Sequence, residues 1–461
     1  VLGSRQAVSR ARKQRRSRSN RTMRRRNTGM THAEKQAAAM WQDVMPMSGI
    51  VENRMIECVD ALEKRGYDVS EARQLIPRGW EAYNSGDYWA LQKVIAMMWE
   101  ALRRAPKMVN DDHLPDTWDE LKRSWTAVAG REICSVDAGN QAYRDKVYGA
   151  WYGKCIGCAL GDPSAGWPSA KVRKERGRVT DYLQKPDTRN DDINYQIIVL
   201  HCIEEHGPGF TSRDLGYEWV QHLELDQTYT AERRALENLH RGLIPPYSAR
   251  ENNPFSDWIG AQMRGEVHGL IAPGRPELAA ELAYKDAIIS HVKEGVYGEV
   301  FNSVMVSLAF VMGDVSEIIS RALGYVPRNS EFASVVRSTV AKCKERGRWE
   351  DVLDWIDQTY GDLHWIHTFP NAAIVVMSLL LGGGDFSESV SIAASCGWDC
   401  DCSTGQVGAT VGALIGERAI PARWKESIAG RLDTDVIGFA SIELGRLTDW
   451  TCDVARRIAR G

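Results

Sequence analysis

Apolar residues recur along this chain at the three- and four-residue spacing of helices, and the two-residue alternation of half-buried strands is nowhere sustained. Met40, Val44 and Met47, then Met55, Val59 and Leu62, predict helices within 31–104. Asp87 is placed to cap a further helix carrying Leu91, Val94, Met97, Met98 and Leu102. Pro106, the run Asn110-Asp111-Asp112 and Pro115 break the pattern and predict a linker or loop over 105–125. Beyond 141 the helical pattern resumes. Ile193, Ile197, Leu200 and Ile203 line one face of a helix that starts after Asn190, a good N-cap, and stops at Gly207-Pro208. Further helices are predicted over 279–291, 299–312, 330–345, 371–382 and 404–416. The expected fold class is all-α, divided into a basic tail (1–29), a helical module with its linker (30–125) and a larger domain (141–461).

The most telling segment is Gly397-Trp398-Asp399-Cys400-Asp401-Cys402-Ser403. Two carboxylates stand two residues apart at the mouth of a helix whose Gly408, Gly412 and Gly416 leave one face almost bare, so that another backbone can approach it closely. A second acidic pair lies far upstream in Asn190-Asp191-Asp192. Two readings stand for each pair. One is an N-cap followed by a first-turn acid; the other is half of a hard-cation site that folding assembles from distant parts of the chain.

Composition narrows the classes. A chain of 461 residues holds two or three domains and a large core. The net charge of −3 is unevenly spread: residues 1–27 contain eleven Arg or Lys and no acid. That tail reads as a nucleic-acid or anionic-membrane contact, as a transit peptide, or as an expression scar or upstream read-through, and it is expected to be disordered alone. The ten cysteines lack the density of a secreted disulfide framework, so reduced thiols in the cytoplasm are expected. Cys155-x-x-Cys158 sits inside a glycine-rich helix pattern with no second Cys/His pair nearby and reads as small core residues. Cys396, Cys400 and Cys402 read as tight packing beside the aspartates, with a thiolate zinc site as the other reading. The longest apolar run, 372–381, is too short to span a bilayer, so no membrane contact is expected.

An ordered set of motifs carries a resemblance. Gly149-Ala150-Trp151-Tyr152-Gly153-Lys154-Cys155-Ile156-Gly157-Cys158-Ala159-Leu160-Gly161 resembles the glycine-rich opening of the ADP-ribosylglycohydrolase family. Asn190-Asp191-Asp192 is similar to its Thr-Asp-Asp metal motif, and Asp399-Cys400-Asp401-Cys402 to its Asp-Thr-Asp-Thr motif. Gly295-Val296-Tyr297-Gly298-Glu299 and His367-Thr368-Phe369-Pro370-Asn371 look like segments of a bacterial branch. The chain thus resembles an atypical bacterial-type member, of the dinitrogenase reductase-activating glycohydrolase-like kind, over roughly 141–440.

The resemblance implies a compact orthogonal helical bundle and a metal-dependent hydrolase of ribosides, using one or two Mg2+ or Mn2+ ions. It implies metal ligands among Asn190, Asp191, Asp192, Asp399, Asp401 and Cys402, and a small riboside or an ADP-ribosylated protein as partner. The alternative is a metal- or ADP-ribose-binding protein with little hydrolysis. Nucleic acid is expected only through the tail, and the oligomeric state is not legible. Three positions depart from the family pattern. Asn190 replaces Thr, and its amide oxygen can still ligate a hard cation. Cys402 replaces Thr; a neutral thiol is a poor ligand for magnesium, and Ser403 is the substitute. Ala165 stands where many relatives carry Glu, which leaves Asp162 as the nearest carboxylate able to serve as base; a turn residue before Pro163 is its other reading. Asp162 and Asp192 are therefore the catalytic candidates. Trp167, Trp398, Glu299 and His291 are substrate-binding candidates, each with a structural reading beside it, as are His367 for phosphate or hydroxyl contact and Arg264 and Arg275 for a diphosphate.

Overall fold

The computed structural model describes residues 29–45, 49–126 and 136–460. The basic segment 1–27 and the predicted core position Met47 lie outside them. The chain divides into two compact units, 1–45 with 51–109 and 46–50 with 110–461. The boundary therefore falls at Val109 and not at 125. Residues 118–124 form a helix of the larger unit, opened by a capping box between Thr117 and Glu120 that the linker reading missed.

The smaller unit packs helices α1 (His32–Trp41), α2 (Arg54–Lys64), α3 (Ile76–Ser85) and α4 (Tyr88–Arg104) around fully buried Trp41, Met55, Leu91 and Met98. Asp87 caps α4 by accepting from the Ala90 N–H at 2.9 Å, as expected. Met97 lies off the buried face and is 41% exposed.

The larger unit is also helical. The described residues contain only two antiparallel two-stranded ribbons, β1 (Asp43–Val44) with β2 (Val51–Glu52), and β3 (Arg431–Asp433) with β4 (Ser441–Glu443). Its centre is the pairing of α5 (Gln141–Gly161) with a later helix, Cys400–Ile415. Glycine makes that pairing possible. A Cβ on Gly149 would stand 2.5 Å from the Gly412 carbonyl oxygen, and Cβ atoms on Gly153, Gly157 and Gly161 would fall still closer to the carbonyls of Gly408, Thr404 and Cys400. The two helices run antiparallel with backbones in direct contact, each presenting a bare stripe at four-residue spacing. The stripe on the later helix was legible; its counterpart is the family-like opening motif. The end of α5 is thereby fixed against the start of its partner, which is where the acidic motif lies.

Around this pair stand α6 (Asp191–His206), α7 (Ser212–His222), α8 (Glu266–Ile271), α9 (Glu294–Ala309) and α10 (Thr368–Gly382); Cys400–Ile415 is α11, and α12 (Leu444–Arg460) closes the chain. Buried Ile193, Ile197, Leu200 and Ile203 confirm the predicted face of α6. Helices α9 and α11 begin several residues earlier than their apolar periodicity suggested, because glycines and acids occupy their first turns. No helix among the described residues is long and apolar enough to cross a membrane.

Candidate active site

Two helix N-termini bring the acidic pairs together. Asn190 caps α6, its side-chain oxygen accepting from the Asp192 N–H at 3.0 Å, and puts Asp191 and Asp192 in the first turn. Asp399 occupies the cap position of α11, with Asp401 in its first turn. The Asn190 amide donates to Asp401 Oδ2 at 2.9 Å, and the Cys402 thiol donates to Asp192 Oδ1 at 3.1 Å, across 211 and 210 sequence positions. Ligand atoms of Asp192, Asp401 and Cys402 all lie within 4.8 Å of one another. The N-cap reading holds for Asn190, and being a cap does not keep Asp192 from meeting the other motif.

The loops behind the acids are tied just as firmly. The Gly166 N–H donates to the Trp398 carbonyl at 2.6 Å, and the Trp398 N–H to the Trp167 carbonyl at 3.1 Å. Trp398 adopts a left-handed φ of 59°, which turns the chain sharply into the Asp399 cap. Asn371, at the start of α10, accepts from the Asp399 N–H at 3.0 Å and from Ser403 Oγ at 3.1 Å, while its amide group donates to the carbonyls of Trp365 and His367.

Beneath Asp192 lies a buried cation. Lys154 on α5 donates to Asp192 Oδ2 at 2.8 Å, Glu266 Oε1 at 2.9 Å and the Met263 carbonyl at 2.6 Å. Burial works against its charge, but Asp192 and Glu266 more than offset this and hold its pKa well above normal. One lysine does not balance the site. Asp191 and Asp399 are held well above the usual carboxylate range by burial and then by the neighbouring aspartates. Asp192 is raised too, by burial and Asp401 against the pull of Lys154. Such a convergence of oxygen donors fits a hard divalent cation.

The Cys402 thiol fits that ion less well. Burial, then Asp192, pushes its pKa well above normal, so it stays a neutral hydrogen-bond donor to Asp192. Ser403 is no substitute, because its hydroxyl is turned to Asn371. Cys396 and Cys400 donate to the carbonyls of Ile392 and Ala394, away from the aspartates, so the three cysteines form no thiolate cluster. Cys155 and Cys158 are both buried in α5.

Asp162 follows α5 directly, where the glycine stripe delivers it to the acidic motif. Burial first, then Asp401 and Asp187, push its pKa up to about 7. Ala165, in the place of the family Glu, is buried at 4% exposure.

The other candidates separate. Trp167 is half-buried and lies under the cations of Lys171 and Arg176, at 3.1 and 4.6 Å from the ring centroid. Trp398 belongs to a core cluster with Ile356, Tyr360 and Met377, and its Nε1–H donates to Asp357 at 2.9 Å; it is a core aromatic and not a pocket wall. Glu299 and His291 are fully buried elsewhere. Glu299 faces His268 at 3.2 Å and Arg264 at 4.0 Å, and His291 bonds to Ser290, itself bonded to Arg264. Arg264 binds no diphosphate from there: it is fully enclosed, paired with Glu232 at 2.8 Å and Asp286 at 3.1 Å, and it lies over Tyr195 and Trp219. His367 caps α10 by accepting from the Phe369 N–H at 3.3 Å. Arg275 holds the cap position of the helix Pro276–Ala287.

Sequence reasoning missed Lys154, Glu266 and Asn371 as parts of the site. A lysine embedded among glycines and small apolar residues was the available signal, since such a buried charge needs partners.

No curated protein matches the chain significantly. A solved structure titled "ADP-ribosylglycohydrolase-related protein complex" aligns at a TM-score of 0.48 with 19% identity, covering 69% of this chain and 100% of that one. The ADP-ribosylglycohydrolase family model matches residues 139–457, which include the glycine seam and both acidic motifs, and the chain belongs to that family.

Proposed function

We propose that the protein is a Mg2+- or Mn2+-dependent hydrolase of a ribosyl glycosidic bond, acting on an ADP-ribosyl adduct or a small N- or O-riboside. The observation that carries the reading is the meeting of Asp191 and Asp192 with Asp399 and Asp401 around a single buried lysine. Asp191, Asp192, Asp399 and Asp401 would hold the ion, with Asn190 and Cys402 completing the surroundings. When bound, such an ion would supply positive charge and lower the pKa of water. Lys154 orients Asp192 from below, and Asn371 orients the Asp399 turn. Asp162, with a pKa of about 7, is suited to take a proton from the attacking water near neutral pH, while nearby carboxylates stabilise an oxocarbenium-like transition state. Nine free, buried cysteines among the described residues suit a reducing, cytoplasmic setting.

A second reading, ADP-ribose or metal binding with little hydrolysis, is favoured by Asp192, whose two oxygens are already engaged by Lys154 and Cys402. Single-turnover assays on ADP-ribosylated peptides and ribosides, with each metal supplied, separate the two. Release of free ribose or ADP-ribose supports the hydrolase; saturable binding without product across the panel supports the binder.

A further inference from the structure

Away from the acidic motifs, α6 and α7 bring three histidines onto one carboxylate. Glu218 Oε2 faces His201 Nδ1 at 2.8 Å and His222 Nε2 at 3.2 Å, and Oε1 faces His206 Nε2 at 3.1 Å. His222 Nδ1 lies 2.8 Å from the Ile437 carbonyl oxygen. A carbonyl only accepts, so that nitrogen carries the hydrogen, which leaves the Nε2 lone pair as the ligand atom of the neutral ring; it stands 3.2 Å from Glu218 Oε2 without the alignment of a hydrogen bond. Two acceptors face each other unless a cation lies between them. A metal ion is one such cation.

We infer that His201, Glu218 and His222 form a binding site for a first-row transition-metal ion of the zinc type, separate from the acidic motif. Their ligand atoms all lie within 4.8 Å of one another. The 3.2 Å separation of His222 Nε2 from Glu218 Oε2 is close to the roughly 3.3 Å edge of a tetrahedron with bonds of about 2.0 Å, while His201 Nδ1 at 2.8 Å is hydrogen-bonded to the same oxygen and would open slightly to admit the ion. Two imidazoles and one carboxylate favour zinc, cobalt or nickel over magnesium. The bond from His222 to a backbone carbonyl is the outer support that metal-binding histidines use to fix their tautomer. Phe439 backs both rings, with centroids at 5.3 Å from His201 and 5.8 Å from His222. His206, the most exposed of the group with a side chain 39% accessible, stands at the rim on the other carboxylate oxygen and marks the way in. The neighbouring Cys202 is kept a thiol by burial and then by Glu218 itself, so sulfur is not part of the set. The ion would clasp α6 to α7, with α6 being the helix whose first turn carries Asp191 and Asp192.

The test uses the full chain, stripped with chelator and titrated with Zn2+ and Co2+ in an Asp401→Asn background that weakens the acidic motif. The expected result is one zinc per chain that excess Mg2+ does not displace. X-ray absorption should show imidazole and oxygen but no sulfur, and Co2+ should give visible bands of low coordination number. Adding His201→Gln and His222→Gln should weaken zinc binding by at least about 10²-fold. Glu218→Gln, which keeps the shape and one acceptor, should do the same and serves if the double variant fails to fold by circular dichroism. Unchanged zinc affinity in these variants, zinc–sulfur scattering, or no zinc binding at all in the Asp401→Asn protein would overturn the site.

Discussion

Two buried clusters in the larger unit both set carboxylates around cationic side chains and differ in charge balance. At the acidic motif, the one enclosed cation, Lys154, pairs with Asp192 and Glu266, while Asp191, Asp399 and Asp401 stand around Asp192. Around Arg264, the carboxylates of Glu232, Asp286 and Glu299 meet two cationic groups, Arg264 and His268. The second cluster sets a cation beside each carboxylate, although burial still pushes Glu232 up to about 7 and both Glu299 oxygens lack a hydrogen bond. Arg264 and His268 overcome burial and hold Asp286 below its usual pKa, while burial and Asp286 push Glu299 up to about 8. In the first cluster Asp191 and Asp399 are pushed upward by burial and by the neighbouring aspartates, and Asp192 stays raised even beside Lys154. A buried cluster with a cation beside each carboxylate suits a brace, and an acid-rich one suits a site for an added cation.

The largest effect should follow removal of the acid through which the later motif meets the earlier one. Asp401→Ala should lower turnover by more than about 10³-fold and abolish the Mn2+-dependent rise in Tm, measured by single-turnover kinetics and thermal melts. Unchanged Mg2+ and Mn2+ affinity by calorimetry would erase the contrast between the clusters. Next, Asp162→Asn should cost about 10²–10³-fold in rate with metal affinity preserved, and should remove the pH-rate limb near 7. A parent-like rate would make Asp162 a turn residue only.

Removing each cluster's cation sharpens the comparison further. Lys154→Met and Arg264→Met should each destabilise the fold by about 3–5 kcal/mol, because each strands buried carboxylates. Added Mn2+ should recover part of the Lys154→Met loss and none of the Arg264→Met loss; equal responses in denaturant titrations would make the clusters alike. The smallest effect is in pH. His268 is raised from 6.5 to about 9, so its stabilisation is complete below about pH 6.5 and lost as pH rises through 9. Glu299, raised from 4.5 to about 8, favours the folded state at low pH and loses that preference as pH rises through 8. Both run the same way, so at saturating Mg2+ the Tm should fall between about pH 6.5 and 9. Glu299→Gln should shrink that fall, and an undiminished slope would place its origin outside this cluster.

Periodicity carried the fold class and the buried face of α6, because apolar spacing reports directly on burial. Helix starts at Glu294 and Cys400 were hidden, since glycines and acids in a first turn look like loop. The acidic pairs were legible because carboxylates two residues apart at a helix mouth are chemically unusual. Their supports were not: Lys154 meets Asp192, and Asn371 meets Asp399, only through tertiary packing. Trp398, Glu299 and His291 were read by chemical type. What decided their roles was the neighbour each one faces, Asp357 for the tryptophan and the Arg264 cluster for the other two.

The glycine seam between α5 and α11 restricts how the sequence can change in length as well as in identity. Inserting or deleting one residue within 149–161 or 400–412 rotates everything beyond it by about 100° and drives a side chain into the opposing carbonyls. Such a change would part Asp162 from Asp401 without touching either. A single-residue insertion midway along α5 should therefore be far more damaging than the same insertion at Gly177, an exposed turn position with open space around it. Length variation in this chain belongs in its loops, and the seam has to be inherited as a unit.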